Sequence, residues 1–386
     1  MSRDHYSRRP LIDQVHNNFD LDVSDEEEGF YAVDDGDYLL HPKWRAMITR
    51  TSNRIPRRLQ RYLVIYAFAS IVLLISWRLY IGPQYAAHQA ELAVFDAAAQ
   101  KEVPSSATPG FKDMLQVKDL ETKYLPKGDG RLVAVGDVHG CKKELEALLK
   151  KVGFQEDKDH LVLTGDMISK GPDSPGVVTL ADKLGASCVR GNHEDKVLLS
   201  IQEAAEYHDT TIPRPDVDSV DPVPYDVEDK DVSYKNPKLL KLAKSFTQPQ
   251  LSYLQSCPVI LRVGNIGSLH NVAVVHAGLV PNVSLEQQDP FQVMNMRTID
   301  LETLLPSETR AHTPWEKYWN HQQKNKPETE QSTVIYGHDR KRGKNIQKFS
   351  MGLDSGCVSG GRLTAMVIKE GGRHSFLHVK CKGYVD

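Results

Sequence analysis

The sequence has little sulfur in any useful arrangement: five cysteines, Cys141, Cys188, Cys257, Cys357 and Cys381, odd in number and widely spaced, with no Cys-x-x-Cys pair. Such spacing indicates neither a disulfide framework nor a thiolate-held zinc. A surplus of one charge is also missing. With 48 Lys and Arg against 51 Asp and Glu, the formal net charge is −3. The overall positive field that phosphate-rich nucleic acid demands is therefore absent, and no nucleic-acid partner is expected. There is no internal repeat. The length, 386 residues, suffices for one large domain or two average ones.

Against this background the N-terminal third divides by composition. Residues 1–61 are expected to form a disordered tail, polar and acidic around Asp25–Glu28, with a basic end at Arg50, Arg54, Arg57, Arg58 and Arg61. The acidic run beside Ser24 reads as a solvated tail, with a sorting signal that engages the cell's sorting machinery as the alternative. Residues 62–81 carry an apolar run flanked by Tyr62, Trp77 and Tyr80, about the length, roughly 20 residues, that crosses a bilayer. It starts too far from the N-terminus for an ordinary cleaved signal. The arginines lie on its N-terminal side and Gln84–Asp96 carries neither Lys nor Arg. The positive-inside rule therefore predicts a cytosolic tail and a translocated remainder, a single-pass type II arrangement. Residues 82–128 read as a stalk.

From 129 to 386 the pattern changes to short Val-, Leu- and Ile-rich runs ending in Gly-flanked polar residues: Leu132–Val135, Leu161–Thr164, Val272–Val275, Val334–Tyr336 and Met351–Leu353. Helical spacing follows the first of these segments, at Leu145, Leu148, Leu149 and Val152, and follows the similar run Ala186-Ser-Cys-Val-Arg190, at Val197, Leu198 and Ile201. Strand, loop, helix and strand in succession predict a βαβ-type α/β domain. The Asp- and Pro-rich stretch 207–235 is expected to be an exposed insertion.

The polar residues that end these strands are Asp137 and His139, Asp166, Asn192 and His193, His276, and His338. Carboxylate, amide and imidazole donors together suit borderline divalent ions, whereas calcium would take oxygen alone. Two metals are the natural count, with zinc expected and manganese, cobalt or iron as alternatives. A two-metal site neutralises phosphate and activates water for in-line hydrolysis.

Gly136-Asp-Val-His-Gly140, Gly165-Asp-Met167, Arg190-Gly-Asn-His-Glu194, His276-Ala-Gly278 and Tyr336-Gly-His338 resemble, in order and spacing, the signatures of the phosphoprotein-phosphatase-type metallophosphoesterases. The resemblance implies two mixed sheets packed face to face with helices outside. It also implies that Asp137 and His139 bind one metal, that Asp166 bridges, that Asn192, His276 and His338 bind the second, and that His193 is the general acid. Where the protein phosphatases have Asp-Arg in the second motif, this chain has Ser169-Lys170. Lys170-Gly-Pro-Asp-Ser174, Gly337-His-Asp339 and Leu353-Asp-Ser-Gly-Cys357 are similar to the ApaH-like branch, whose members tend to cleave phosphoanhydrides. A single-pass anchor joined to such a domain is similar to the fungal vacuolar zinc-dependent endopolyphosphatases, which implies inorganic polyphosphate as substrate and the vacuole as location. Lys170, Arg190 and Arg297 are the candidates for holding its phosphates. Asp354 reads as a buried carboxylate capping backbone amides beside the site. Asn282-Val-Ser284 fits an N-glycosylation acceptor if the domain is lumenal.

Three other readings compete. Dinucleoside polyphosphates are the second substrate choice. A phosphoprotein phosphatase is disfavoured by Ser169 and Lys170, and an inactive membrane adaptor by the intact set of metal-binding residue types.

Overall fold

The computed structural model describes residues 43, 44, 47, 56–101, 103, 114–209 and 236–385, the side chains of 203–209 excepted. The expected acidic tail, Arg50 and Arg54 of its basic end, and nearly all of the 207–235 insertion lie outside the described residues. The chain divides into two units, Met1–Gln84 and Tyr85–Asp386.

In the first unit, α1 runs Arg57–Ser76 with no buried side chain and is followed by a π-helical turn, Trp77–Ile81. Leu63, Ile65, Phe68, Leu73 and Leu74 are each at least half exposed. The continuous helix over 57–99 is long and apolar enough to cross a membrane, and none of its apolar window is buried.

The helix α2, Gly82–Ala99, continues into the second unit. In chain order there follow β1 (Val117–Asp119), β2 (Leu132–Val135), α3 (Lys142–Val152), β3 (His160–Leu163), α4 (Ser174–Lys183), β4 (Ser187–Cys188) and α5 (Asn192–Asp209). Next come α6 (Pro237–Ala243), α7 (Gln248–Ser256), β5 (Ile260–Asn265), β6 (Asn271–Val275), α8 (Pro290–Asn295), β7 (Thr298–Ile299), β8 (Pro306–Ser307), β9 (Thr313–Pro314) and α9 (Trp315–Lys324). The chain closes with β10 (Ser332–Tyr336), β11 (Asn345–Gln347), β12 (Ser350–Gly352), β13 (Arg362–Ile368) and β14 (His374–Lys380).

Two mixed sheets result, ordered β1-β5-β6-β10-β12-β11 and β14-β13-β2-β3-β4, with a small third sheet β8-β7-β9. Side chains alternate between the faces of a strand, so each strand serves two cores. Leu132 and Ala134 of β2, Val272 and Val274 of β6, and Met366 and Ile368 of β13 fill the space between the sheets. Their neighbours Val133, Val135 and Val367 face a layer with Leu145, Leu148, Val177 and Val197 from α3, α4 and α5. On the opposite side Ala273 and Val275 meet Trp315, Tyr318 and Trp319 of α9. The four-layer sandwich agrees with the expected fold.

The details depart from expectation in two places. The segment read as a stalk is partly integral to the sandwich. Phe95 and Ala98 of α2 are buried with Tyr318, and Val117–Asp119 pairs in parallel with Ile260–Arg262. Two spaced apolar residues in an Ala-rich run are too sparse to announce this contact.

The cysteine reading is also corrected. Cys188 is bonded to Cys257 and Cys357 to Cys381, which leaves Cys141 buried as the free thiol. Separations of 69 and 24 residues make both bonds products of the tertiary fold, and no local motif betrays them. Cys188 ends β4, whereas Cys257 caps α7. The bond therefore ties the sheet edge to the outer helix layer and closes a long loop. Replacing both cysteines, Cys188→Ser with Cys257→Ser, is expected to lower stability by about 2–4 kcal/mol. Denaturant titration of the double variant against the unreduced wild type measures this.

Candidate metal centre

The singled-out polar residues follow the carboxyl ends of strands, where ligand sites of α/β sheets lie. Asp137 and His139 follow β2, Asp166 follows β3, His276 follows β6, His338 follows β10 and Asp354 follows β12, while Asn192 and His193 open α5 after β4. To reach the same point the loops bend sharply. His139, Asp166 and His338 have φ of 44°, 47° and 69°, in the left-handed region that ordinary residues avoid and that clusters at functional sites. Gly337 supplies room, since a Cβ there would overlap Asp137 Oδ1.

Asp166 lies at the centre. His139 Nε2 is 3.4 Å from its Oδ2 and His276 Nε2 is 3.4 Å from its Oδ1. Each imidazole is oriented from behind by a carbonyl: His139 Nδ1 donates to Ile168 O at 3.0 Å, His276 Nδ1 to Thr164 O at 2.9 Å, and His338 Nε2 to Asn295 O at 3.0 Å. A ring nitrogen facing a carbonyl carries the proton, so the other nitrogen presents its lone pair to the cleft. His276 Nε2 then faces His338 Nδ1 at 3.2 Å and Asn192 Oδ1 at 3.1 Å. That same amide oxygen faces the two Asp166 oxygens at 3.2 and 3.3 Å. With the Asn192 oxygen turned inward, imidazole, amide and carboxylate donors converge in a set that a divalent cation satisfies, as the amide N–H₂ would if turned inward in its place. At His139 Nε2 a cation is present, since Lys170 Nζ sits 3.1 Å away. The residues therefore fit a divalent-metal centre.

The charges agree. Burial, with Asp354 and Asp166 adding to it, raises the Asp137 carboxyl well above the usual carboxylate range, and the His338 N–H opposes this. For Asp166, burial acts upward, but the imidazoles of His276, His193 and His139 together with Lys170 hold it well below that range. Burial lowers His139 to about 4 and His338 well below its ordinary value, so both imidazoles are neutral near pH 7 with lone pairs available. Burial, with Lys170, His139 and Lys196 adding to it, lowers His193 to about 3.

The open cleft above these donors is about 640 Å³ and is walled by Lys170, Arg297, Arg310, Arg340 and Lys341. Arg310 is tied to Asp339, and Arg297 Nη1 donates to Glu308 O at 2.8 Å. Of the three cations singled out from sequence, Lys170 and Arg297 reach the cleft. Arg190 does not: it is buried, with Nη2 3.0 Å from Asp195 Oδ1, so the substrate contact expected of it is replaced by an ion pair. Asp354 combines two placements, accepting from Gly356 N at 2.9 Å while lying against Asp137 on the cleft wall.

Sequence reasoning passed over two features. Arg310, Arg340 and Lys341 come from loops that carry no strand-end signal. Glu194, quoted in the third motif without a task, is fully buried. Its Oε2 accepts from Asp166 N at 2.8 Å and Gly191 N at 2.9 Å, and its Oε1 from Met167 N at 2.8 Å and Ile168 N at 3.2 Å. One carboxylate thus fixes the turns that carry Asp166 and Asn192.

A four-layer α/β sandwich with carboxylate, amide and imidazole donors at its strand ends defines a metal-dependent phosphoesterase. The calcineurin-like phosphoesterase profile matches residues 130–355, more than half of the chain, and the protein belongs to that family, whose members hydrolyse phosphate bonds at a dimetal site. It is 28% identical over 278 residues to the zinc-dependent endopolyphosphatase of Saccharomyces cerevisiae, covering 67% of this chain and 79% of that one. To the symmetrical bis(5'-nucleosyl)-tetraphosphatase of Nitrosospira multiformis it is 26% identical, over 62% of this chain and 93% of the relative. A crystal structure of a candidate diadenosine tetraphosphatase superposes with a TM-score of 0.52 at 34% identity, covering 69% of this chain and 99% of that one. The ApaH-like resemblance is thereby confirmed.

If Glu194 positions the bridging loop, Glu194→Gln turns an amide N–H₂ toward backbone donors. A stability loss of about 1–3 kcal/mol is expected, with bound metal, measured by elemental analysis of the purified chain, falling well below that of wild type.

Proposed function

We propose that the protein is a membrane-anchored endopolyphosphatase that hydrolyses inorganic polyphosphate inside the vacuole. The observation that carries this reading is the cleft wall: Lys170, Arg297, Arg310, Arg340 and Lys341 surround one set of metal donors. Among the described residues no Phe, Tyr or Trp lines that cleft. A chain of phosphates offers a charge to every cation, whereas a nucleobase would want an aromatic face to stack on.

Two divalent ions, zinc first among the alternatives, supply Lewis-acid activation of phosphate and water when bound. Asp137, His139 and Asp166 would hold one, and Asp166, Asn192, His276 and His338 the other. The chain's own residues do the rest. Lys170 and Arg297 hold the phosphates flanking the scissile bond, and Arg310 and Arg340 hold those further along. His193 gives its proton to the leaving phosphate oxygen. The anionic substrate raises that imidazole from its low resting value, because opposite charge favours the protonated form.

Incubating the full chain in detergent with long-chain polyphosphate and sizing the products by electrophoresis tests this reading. Progressive shortening through intermediate lengths is expected, with loss of activity in chelator and a drop of at least a hundredfold in Asp166→Asn. Intact chains beside rapid cleavage of diadenosine tetraphosphate would replace it with the second reading, dinucleoside polyphosphate hydrolysis, which the tetraphosphatase relatives favour.

The topology supports the lumenal location. The arginine cluster precedes the apolar helix, and the two disulfides of the second unit are bonds that persist in oxidising compartments. Asn282 is exposed in a turn with φ of 64°, accessible to glycosylation. Expressed in a eukaryotic secretory pathway, the chain is expected to lose mass on glycosidase treatment and to lose that sensitivity in Asn282→Gln.

A further inference from the structure

A second cleft, about 950 Å³, opens where β13 begins and β14 ends, lined by Lys151, Gly360, Gly361, Arg362, His378 and Lys380. Its charge is of one sign and uncompensated. Arg362 and Lys380 stand directly opposite each other across the strand pair, an arrangement of like charges that weakens a sheet. Lys151 Nζ is drawn in by donating to His378 O at 2.7 Å. Among the described residues none of these three cations forms an ion pair with a carboxylate. The His378 imidazole, lowered by slight burial and then by Arg362, Lys151 and Lys344, registers the same field. Gly360, with φ of 83°, and Gly361 leave part of the floor as bare backbone.

This cleft shares a wall with the metal cleft. Gly356, Cys357 and Val358 line the metal cleft, and Gly360 and Gly361 line the second. Val358 and Gly360 are two residues apart, so the divide between the clefts is at most about 7 Å of chain. The wall is rigid: Cys357 is bonded to Cys381, Gly361 N donates to Gly356 O at 3.0 Å, and Cys381 N donates to Gly361 O at 3.0 Å. Arg340 bridges it from the metal side by its bond to Ser359 Oγ. Cations thus continue from Arg310 and Arg340, over the loop, to Arg362, Lys380 and Lys151.

We propose that the second cleft is a distal phosphate-binding site, which holds a stretch of the same polyanion several units away from the bond being cleaved. This rests on the polyphosphate reading. A polyanion bridging both clefts relieves the Arg362–Lys380 repulsion, and chains too short to cross the wall gain nothing from the distal cations.

The test compares the full wild-type chain with Arg362→Gln/Lys380→Gln and with Lys151→Gln, using long-chain polyphosphate, tripolyphosphate and p-nitrophenyl phosphate. The expected result for the double variant is a KM for long chains raised about three- to tenfold, the scale of two exposed ion pairs, and less sensitive to salt. Long-chain kcat and both small-substrate rates stay at wild-type values, and Arg362→Lys retains the wild-type KM. An unchanged long-chain KM overturns the distal site and leaves the polyphosphatase reading standing. Parallel losses on long and small substrates also overturn it, because the residues would then act through the fold. Failure of the wild type to cleave long chains overturns the polyphosphate reading, and the distal site with it.

Discussion

Asp137, Asp166 and Asp354 are all nearly inaccessible to water and lie at one point, which is the condition the catalytic unit is built around. Carboxylates so placed repel one another and have lost their hydration, so the fold must supply positive charge and bind the loops firmly enough to resist spreading. It does so mostly with backbone. His338 N donates to both Asp137 oxygens at 3.0 and 3.1 Å, and His193 N to Asp166 Oδ1 at 3.1 Å. Glu194 works in the reverse sense, a fourth buried carboxylate whose four N–H donors lock the Asp166 turn. The left-handed φ values at His139, Asp166 and His338 follow from the same demand, since they are tolerated only where surrounding bonds over-determine the turn.

What could be read from the sequence follows from how local the information is. A buried strand announces itself in four or five consecutive residues, and the polar residues that end it in the next two or three, so Asp137, Asp166, His276 and His338 are all visible beside their strands. The cationic rim was harder to read. Arg310 and Arg340 stand in irregular loops, and their approach to the cleft depends on Asp339 and Ser359, which hold them. The disulfides are hidden for the same reason, because a pairing across 69 residues leaves no local trace. Arg190 is ambiguous in the opposite way: it lies inside a diagnostic motif, yet Asp195, five residues along the chain, pairs with it. The edge strand Val117–Asp119 was lost in a segment whose composition resembles a linker, because only its pairing with β5 makes it a strand.

The two disulfides take on a functional meaning through their positions. One holds the edge strand whose loop carries Asn192 and His193, and the other holds the loop between Asp354 and β13. In each case the covalent bond is buried in the outer hydrophobic cluster, directly behind a site loop. Local fluctuation of such loops would otherwise be the cheapest motion available to the domain, and donors must be held within a fraction of an ångström to remain useful.

Ser169-Lys170 is where the site departs most from the protein-phosphatase pattern, and the departure bears on the bond cleaved. Both residues have left-handed backbones, φ 74° and 64°, and Ser169 N is held by Ser174 Oγ at 2.9 Å. Ser169 stands where the pattern has the carboxylate that would support a protonated His193, and Lys170, in the place of the pattern's arginine, puts its ammonium beside His139. Burial and that ammonium both act to keep His193 neutral. A weakly supported acid is a poor catalyst for expelling a serine alkoxide, which must be protonated as it leaves. A phosphate leaving group is a far weaker base and needs much less proton transfer in the transition state. The same lysine keeps, in the arginine's place, a positive charge on the cleft wall. The exchange of Asp-Arg for Ser-Lys therefore removes assistance that phosphoesters need and keeps the positive charge that phosphoanhydrides use, which is a physical reason for placing this site among anhydride hydrolases.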